Sequence, residues 1–126
     1  EAAIHYQTAL KNEPNSLEIL ELIGDLKYEQ KDLEGARKTY DAIWKLNPNN
    51  DAIVNKISTV IFESGNTDSV LRYNNALIKT DTILFAPYEN LGYLFLLQKD
   101  TATAKLYFER AVKKGMNPLG VPPSIK

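Results

Sequence analysis

The sequence has no cysteine and only one histidine, one methionine and one tryptophan among its 126 residues. Without cysteine there is no disulfide, no thiolate nucleophile and no cysteine metal site. His5 is the single histidine, so a metal site would depend on carboxylates, and no acidic cluster has the spacing of a calcium loop. A Ser/His/Asp set would need His5 to reach a nucleophile several helices away. Its plainer reading is a partly exposed position near a terminus. Gly24, Gly35, Gly65 and Gly92 are isolated and build no phosphate-binding loop. The expectation is a protein that is not an enzyme and carries no cofactor or metal.

Large charge of one sign is also missing. Fifteen basic and sixteen acidic residues nearly cancel, which argues against a general electrostatic grip on nucleic acid or on an anionic membrane. No apolar run reaches the length of a membrane-spanning helix, and no basic-then-apolar leader is visible, so direct membrane insertion is not expected. Compartment stays undetermined. The charge is unevenly spread: residues 1–63 hold 11 acids and 7 bases, residues 64–126 hold 5 acids and 8 bases. Two copies can therefore attract head to tail.

What is present is a period. Residues 17–50 read as two short amphipathic helices hinged at Gln30-Lys31-Asp32 and closed by Pro48. Ser16 and Asp32 are placed to cap them. Ala2, Tyr6, Ala9 and Pro14 each stand 34 residues before Ala36, Tyr40, Ile43 and Pro48, and Gly92 stands 68 residues after Gly24. Between them, residues 51–84 keep the phase with Val54, Ile57, Ile61, Val70 and Leu77. There Ser58 replaces the glycine, Asn74 the aromatic and Thr82 the proline. From Phe85 the pattern returns with Tyr88, Leu91, Gly92, Phe95, Ala104, Phe108 and Ala111, with Asp100 or Thr101 as a cap.

Leu20, Ile23, Gly24, Ala36, Tyr40, Ile43 and Pro48 follow the tetratricopeptide pattern W-x2-L-G-x2-Y…A-x3-F…P, and this unit resembles a tetratricopeptide repeat. Lys27 departs from it, standing where an aromatic is preferred, with Tyr28 beside it. The resemblance implies an all-α fold, a right-handed α-solenoid of antiparallel helix pairs. Its expected parts are the second helix of a truncated repeat (1–16), a repeat (17–50), a divergent repeat (51–84), a repeat (85–118) and a proline-containing tail (119–126). Opening in mid-repeat, the chain is expected to be a piece of a longer protein. The divergent repeat is expected to pack most loosely. The tail LGVPPSIK is expected to run extended around Pro122-Pro123, either as a makeshift cap with Leu119, Val121 and Ile125 on the last helix or as the start of the next segment.

In this family the first helices line a concave face where an extended peptide or a partner's helix docks. Carried over, the groove positions are Glu18, Glu21, Asp25, Tyr28 and Glu29, then Ala52, Asn55, Thr59, Phe62 and Glu63, then Ala86, Glu89, Tyr93, Leu96 and Leu97. Aromatics such as Tyr28, Phe62 and Tyr93 suit hot-spot contacts, although they equally suit packing between first helices. The acids at one end favour a basic or amphipathic peptide. Glu18, Glu21, Asp25 and Glu29 also suit a plain solvated helix face. The family's lysine, asparagine and arginine clamp for chaperone C-terminal carboxylates is absent: Glu21, Asp25, Lys56, Ala86 and Asn90 occupy its positions. An acidic tail is therefore not an expected ligand.

Two functions follow from the resemblance. One is a protein-interaction scaffold that binds a partner's peptide or helix on the concave face. The other is a structural or oligomerisation module of a larger repeat protein, self-associating through the ends of the solenoid.

Overall fold

A computed structural model describes residues 16–80 and 82–125. The opening half-repeat and His5 lie outside the described residues. These contain six α-helices, two 3-10 turns and no strand. The chain divides into two compact units, Glu1–Ser64 and Gly65–Lys126.

The first unit contains α1 (Leu17–Glu29), α2 (Leu33–Leu46) and α3 (Asp51–Glu63), α1 packing on α2 and α2 on α3. Each helix starts where a short polar side chain satisfies an otherwise unpaired backbone N–H. Ser16 accepts from Ile19 at 3.4 Å, Asp32 from Gly35 at 2.9 Å and Asn50 from Ile53 at 3.2 Å. Behind the caps, apolar residues at helical spacing form the interior. Ile23, Ala36, Tyr40, Ile43, Ile53, Val54, Ile57 and Val60 are all buried. Gly24 lets the Tyr40 ring lie directly against the α1 backbone.

The second unit contains α4 (Thr67–Lys79), α5 (Ala86–Leu97) and α6 (Thr101–Lys113), α5 packing on both neighbours. That double contact explains why α5, APYENLGYLFLL, is apolar nearly all round. Asn66 and Asp100 cap α4 and α6 by accepting from Ser69 and Thr103. No side chain caps α5, where Pro87 near the start has no N–H to satisfy. Gly92 faces the Phe108 ring as Gly24 faces Tyr40.

Asn74 fills its place differently from the family's aromatic. It is fully buried, donates to the Val70 carbonyl at 2.9 Å and accepts from Asn90 at 3.0 Å, joining α4 to α5. Thr82, in place of the proline, accepts from Leu84 N–H at 3.0 Å through its hydroxyl, and Lys114 donates to its carbonyl at 2.9 Å. Within this unit, hydrogen bonds stand where the family's packing residues are missing.

The tail does not run extended. Pro118 and Pro123 each open a 3-10 turn, Pro118–Gly120 and Pro123–Ile125, at a position where the missing N–H costs nothing. Val121 and Ile125 pack against Ala104, Phe108, Ala111 and Met116, covering part of α6, whereas Leu119 is 82% exposed. An apolar hollow of about 360 Å³, bordered by Phe108, Val112, Val121 and Ile125, stays open between α6 and the tail.

Candidate functional site

Glu21 and Asp25 lie four residues apart on α1 and so share one face. Lys56 reaches them from α3, its Nζ 2.8 Å from Glu21 Oε2 and 2.9 and 3.0 Å from the two oxygens of Asp25. Tyr40, held close by Gly24, donates its hydroxyl to Asp25 Oδ1. The Lys56 ammonium also stands 5.8 Å from the centre of the Tyr40 ring. One ammonium thus sits among two carboxylates and an aromatic face.

The electrostatics follow from these contacts. Burial, the hydrogen bond to Asp25 and the charges of Asp25 and Glu21 push the Tyr40 phenol well above its ordinary value. For Lys56, burial acts to lower the pKa. The hydrogen bonds and charges of Glu21 and Asp25 outweigh it and hold the ammonium above the usual lysine value. A hydrogen bond to the Glu63 carboxylate, then burial, then the Glu63 charge raise Tyr28.

Beside this cluster lies an open pocket of about 390 Å³ lined by Asp25, Tyr28, Glu29, Tyr40, Asn55, Lys56 and Thr59. The Thr59 hydroxyl turns back to the Asn55 carbonyl at 2.9 Å. Of the residues expected to face the groove, Glu21, Asp25, Tyr28, Glu29, Asn55 and Thr59 come together around this cluster and pocket. Phe62 is 42% exposed near the end of α3 and is not part of the pocket wall. Glu89, Tyr93 and Leu96 belong to α5 in the second unit. There Tyr93 is 43% exposed, standing edge-on to Phe108 at 5.0 Å, and Leu96 packs against the α6 core. Burial and the Glu89 charge raise the Tyr93 pKa.

Two expectations need correction. Ala86 is fully buried and cannot face a ligand. Glu21 and Asp25 are not a plain solvated face, because Lys56 neutralises part of their charge. Lys56 and Tyr40 are the members that sequence reasoning did not place in the site. The period puts Lys56 about one repeat after Glu21 and Asp25, 35 and 31 residues on, but does not say that these side chains meet. Among the described residues no cluster of His, Cys, Asp or Glu has a metal-binding arrangement, and no helix is long and apolar enough to cross a membrane.

Helix pairs with Gly24 against the Tyr40 ring and Gly92 against the Phe108 ring define an all-α helical-repeat protein. Models of the tetratricopeptide repeat match residues 18–50 and residues 86–113. These two matches and the all-helical repeat fold support a tetratricopeptide-repeat protein. Its fold is similar to the crystal structure of MamA, with a TM-score of 0.62 at 17% identity over 90% of this chain and 67% of that chain. A second MamA structure gives a TM-score of 0.61 at 17% identity, over 90% of this chain and 62% of that one. The chain thus spans about two thirds of the length of these MamA chains. The N-terminal domain of stress-induced protein-1 (STI-1) from C. elegans gives 0.55 at 23% identity, over 82% of this chain and 87% of that chain. No curated protein matches in sequence. The family makes the chain a protein-interaction module in general terms.

Proposed function

We propose that the chain is a non-enzymatic scaffold whose first unit binds a basic or amphipathic peptide, or the helix of a partner, in the groove between α1 and α3. The observation that carries this reading is the open pocket itself, where Asp25 and Glu29 in the wall and Glu21 beside it outnumber the one ammonium of Lys56 and Tyr28 supplies an aromatic wall. Exposed Glu18 and Glu63 on the same two helices extend the negative potential, which favours encounter with cationic segments. Phe62, Glu89, Tyr93 and Leu96 are proposed as further partner contacts on their own helices. An acidic C-terminal tail is not a ligand under this reading, because Lys56 is already tied to two carboxylates.

Fluorescence anisotropy with a labelled basic amphipathic peptide and its charge-reversed twin tests the proposal. The basic peptide is expected to bind and its twin not. Tyr28→Ala is expected to weaken binding about tenfold, as loss of an aromatic anchor does. Equal binding of the two peptides contradicts the reading.

A second reading, self-association through the ends, is supported by the apolar hollow between α6 and the tail and by exposed Leu119. Sedimentation across a concentration series at low salt tests it, a strict monomer removing it.

A further inference from the structure

Lys56 is the unusual feature of the groove. Its ammonium is taken up by two carboxylates and stands near the Tyr40 ring, yet it borders the open pocket and its side chain keeps 31% of its surface in water. Those are the surroundings that a bound cation requires. The position is filled by a side chain of the protein's own, on the helix opposite the carboxylates.

We infer that Lys56 is the specificity determinant of this groove: it occupies the cation position as a tethered competitor, and a partner peptide takes that position with an arginine. This rests on the groove reading given above.

Three physical points favour arginine over lysine as the incoming group. A guanidinium is a planar fork that pairs bidentately with a carboxylate, whereas an ammonium acts as a point charge. Asp25 already presents both oxygens to a single nitrogen, at 2.9 and 3.0 Å, and Glu21 is within reach of the same nitrogen. A guanidinium also stacks well on aromatic faces and is the more weakly hydrated cation, so it loses less on leaving water. The Tyr40 ring and Tyr28 supply the aromatic surroundings. The displaced Lys56, strongly hydrated and already partly exposed, swings into solvent on its flexible stem with no backbone change.

A tethered ammonium competes at an effective concentration on the order of millimolar, set by its short linkage. Removing it therefore strengthens binding of an external cation, and the sign of that effect sets the inference apart from a structural role. If Lys56 only braced α1 against α3, its loss would leave affinity unchanged or reduce it.

The experiment uses the intact chain and two labelled amphipathic peptides that differ only in arginine or lysine at one position. The intact chain is expected to bind the arginine peptide several-fold more tightly. Lys56→Gln, checked for helicity by circular dichroism, is expected to bind the arginine peptide about tenfold more tightly than the intact chain. Lys56→Arg, which fills the position with the better cation, is expected to bind it more weakly. In the nitrogen spectrum of lysine ammonium groups, the Lys56 resonance should move toward that of a free lysine as the arginine peptide is added. If Lys56→Gln binds no more tightly than the intact chain while Tyr28→Ala still weakens binding, the inference is overturned and the groove reading stands. If neither the intact chain nor Lys56→Gln binds the basic peptide, both are overturned.

Discussion

Gly24 lies flat against the ring of Tyr40: a Cβ built on Gly24 would stand 2.5 Å from Tyr40 Cε1. Tyr40 is only 2% exposed and its hydroxyl is tied to Asp25, so a shift of the ring disturbs both its packing and that hydrogen bond. The same relationship joins Gly92 to Phe108, where the distance would be 2.7 Å. Gly24→Ala and Gly92→Ala are each expected to lower stability by about 1–3 kcal/mol through overpacking. Chemical denaturation measures this, and an unchanged midpoint for either variant contradicts the packing described. Gly24→Ala should also disturb the Tyr40–Asp25 hydrogen bond and hence the pocket floor.

The turns between paired helices repeat a backbone conformation that the side chains do not advertise. Lys31, Gly65 and Lys99 stand 34 residues apart, with φ of 65°, 89° and 64°. At Lys31 and Lys99 the following N–H closes back to the helix, Asp32 to Lys27 and Asp100 to Phe95, both at 2.9 Å, in the pattern of a Schellman motif. A left-handed residue with a side chain costs about 1–2 kcal/mol that glycine avoids, offset in part by glycine's greater freedom when unfolded. Lys31→Gly and Lys99→Gly are therefore expected to raise stability by up to about 1 kcal/mol, and Gly65→Lys to lower it by a similar amount. Thermal melting of the three variants checks the signs.

How far the sequence discloses this structure depends on the range of each interaction. Ser16, Asp32 and Asp100 cap as expected, because capping involves residues three apart and short polar side chains declare it. Gly24 and Gly92 are readable from the period. The pairing of Lys56 with Glu21 and Asp25 was not, because helix spacing places each residue on its own helix but does not say which side chains meet across two. Asn74 in the place of an aromatic carries no mark of its partner Asn90, sixteen residues on and on the next helix. Lys31 and Lys99 carry no mark of a left-handed turn, since lysine gives no signal for it. The prolines of the tail fit either an extended path or a 3-10 start, and packing of Ile125 on α6 selects the second.

Asn74 and Asn90 form a polar contact inside the second unit. Asn90→Ala removes a donor from fully buried Asn74 and is expected to cost about 1–3 kcal/mol, the desolvation penalty of the group left behind. Replacing both by leucine should recover much of that loss, since apolar replacement of both partners can be nearly neutral. A double-mutant cycle in denaturant measures the coupling; additive losses contradict a direct contact.

Alkaline pH should act first on the pocket floor. The Tyr40 phenol is raised in the folded state by burial and by Asp25, so the unfolded chain loses this proton more readily. Its contribution is fully present below the ordinary phenol value of about 10 and falls as pH climbs from there toward the folded value, by up to about 1.4 kcal/mol per pH unit. The raised Lys56 pKa works in the same direction above the ordinary lysine range. Tyr40→Phe is expected to give a shallower loss of stability above pH 10 in alkaline denaturation, and an unchanged slope contradicts this.

The central claim is that a basic peptide binds between α1 and α3 of the first unit. Its most direct test is nuclear magnetic resonance mapping of backbone amides during titration with the labelled peptide's unlabelled form. The largest shifts are expected at Asp25, Tyr28, Asn55, Lys56 and Thr59, with little change along the solvent side of α2 at Lys38 and Lys45. Shifts centred on the α2 solvent side or on the hollow beside α6, with the pocket residues unmoved, would contradict it.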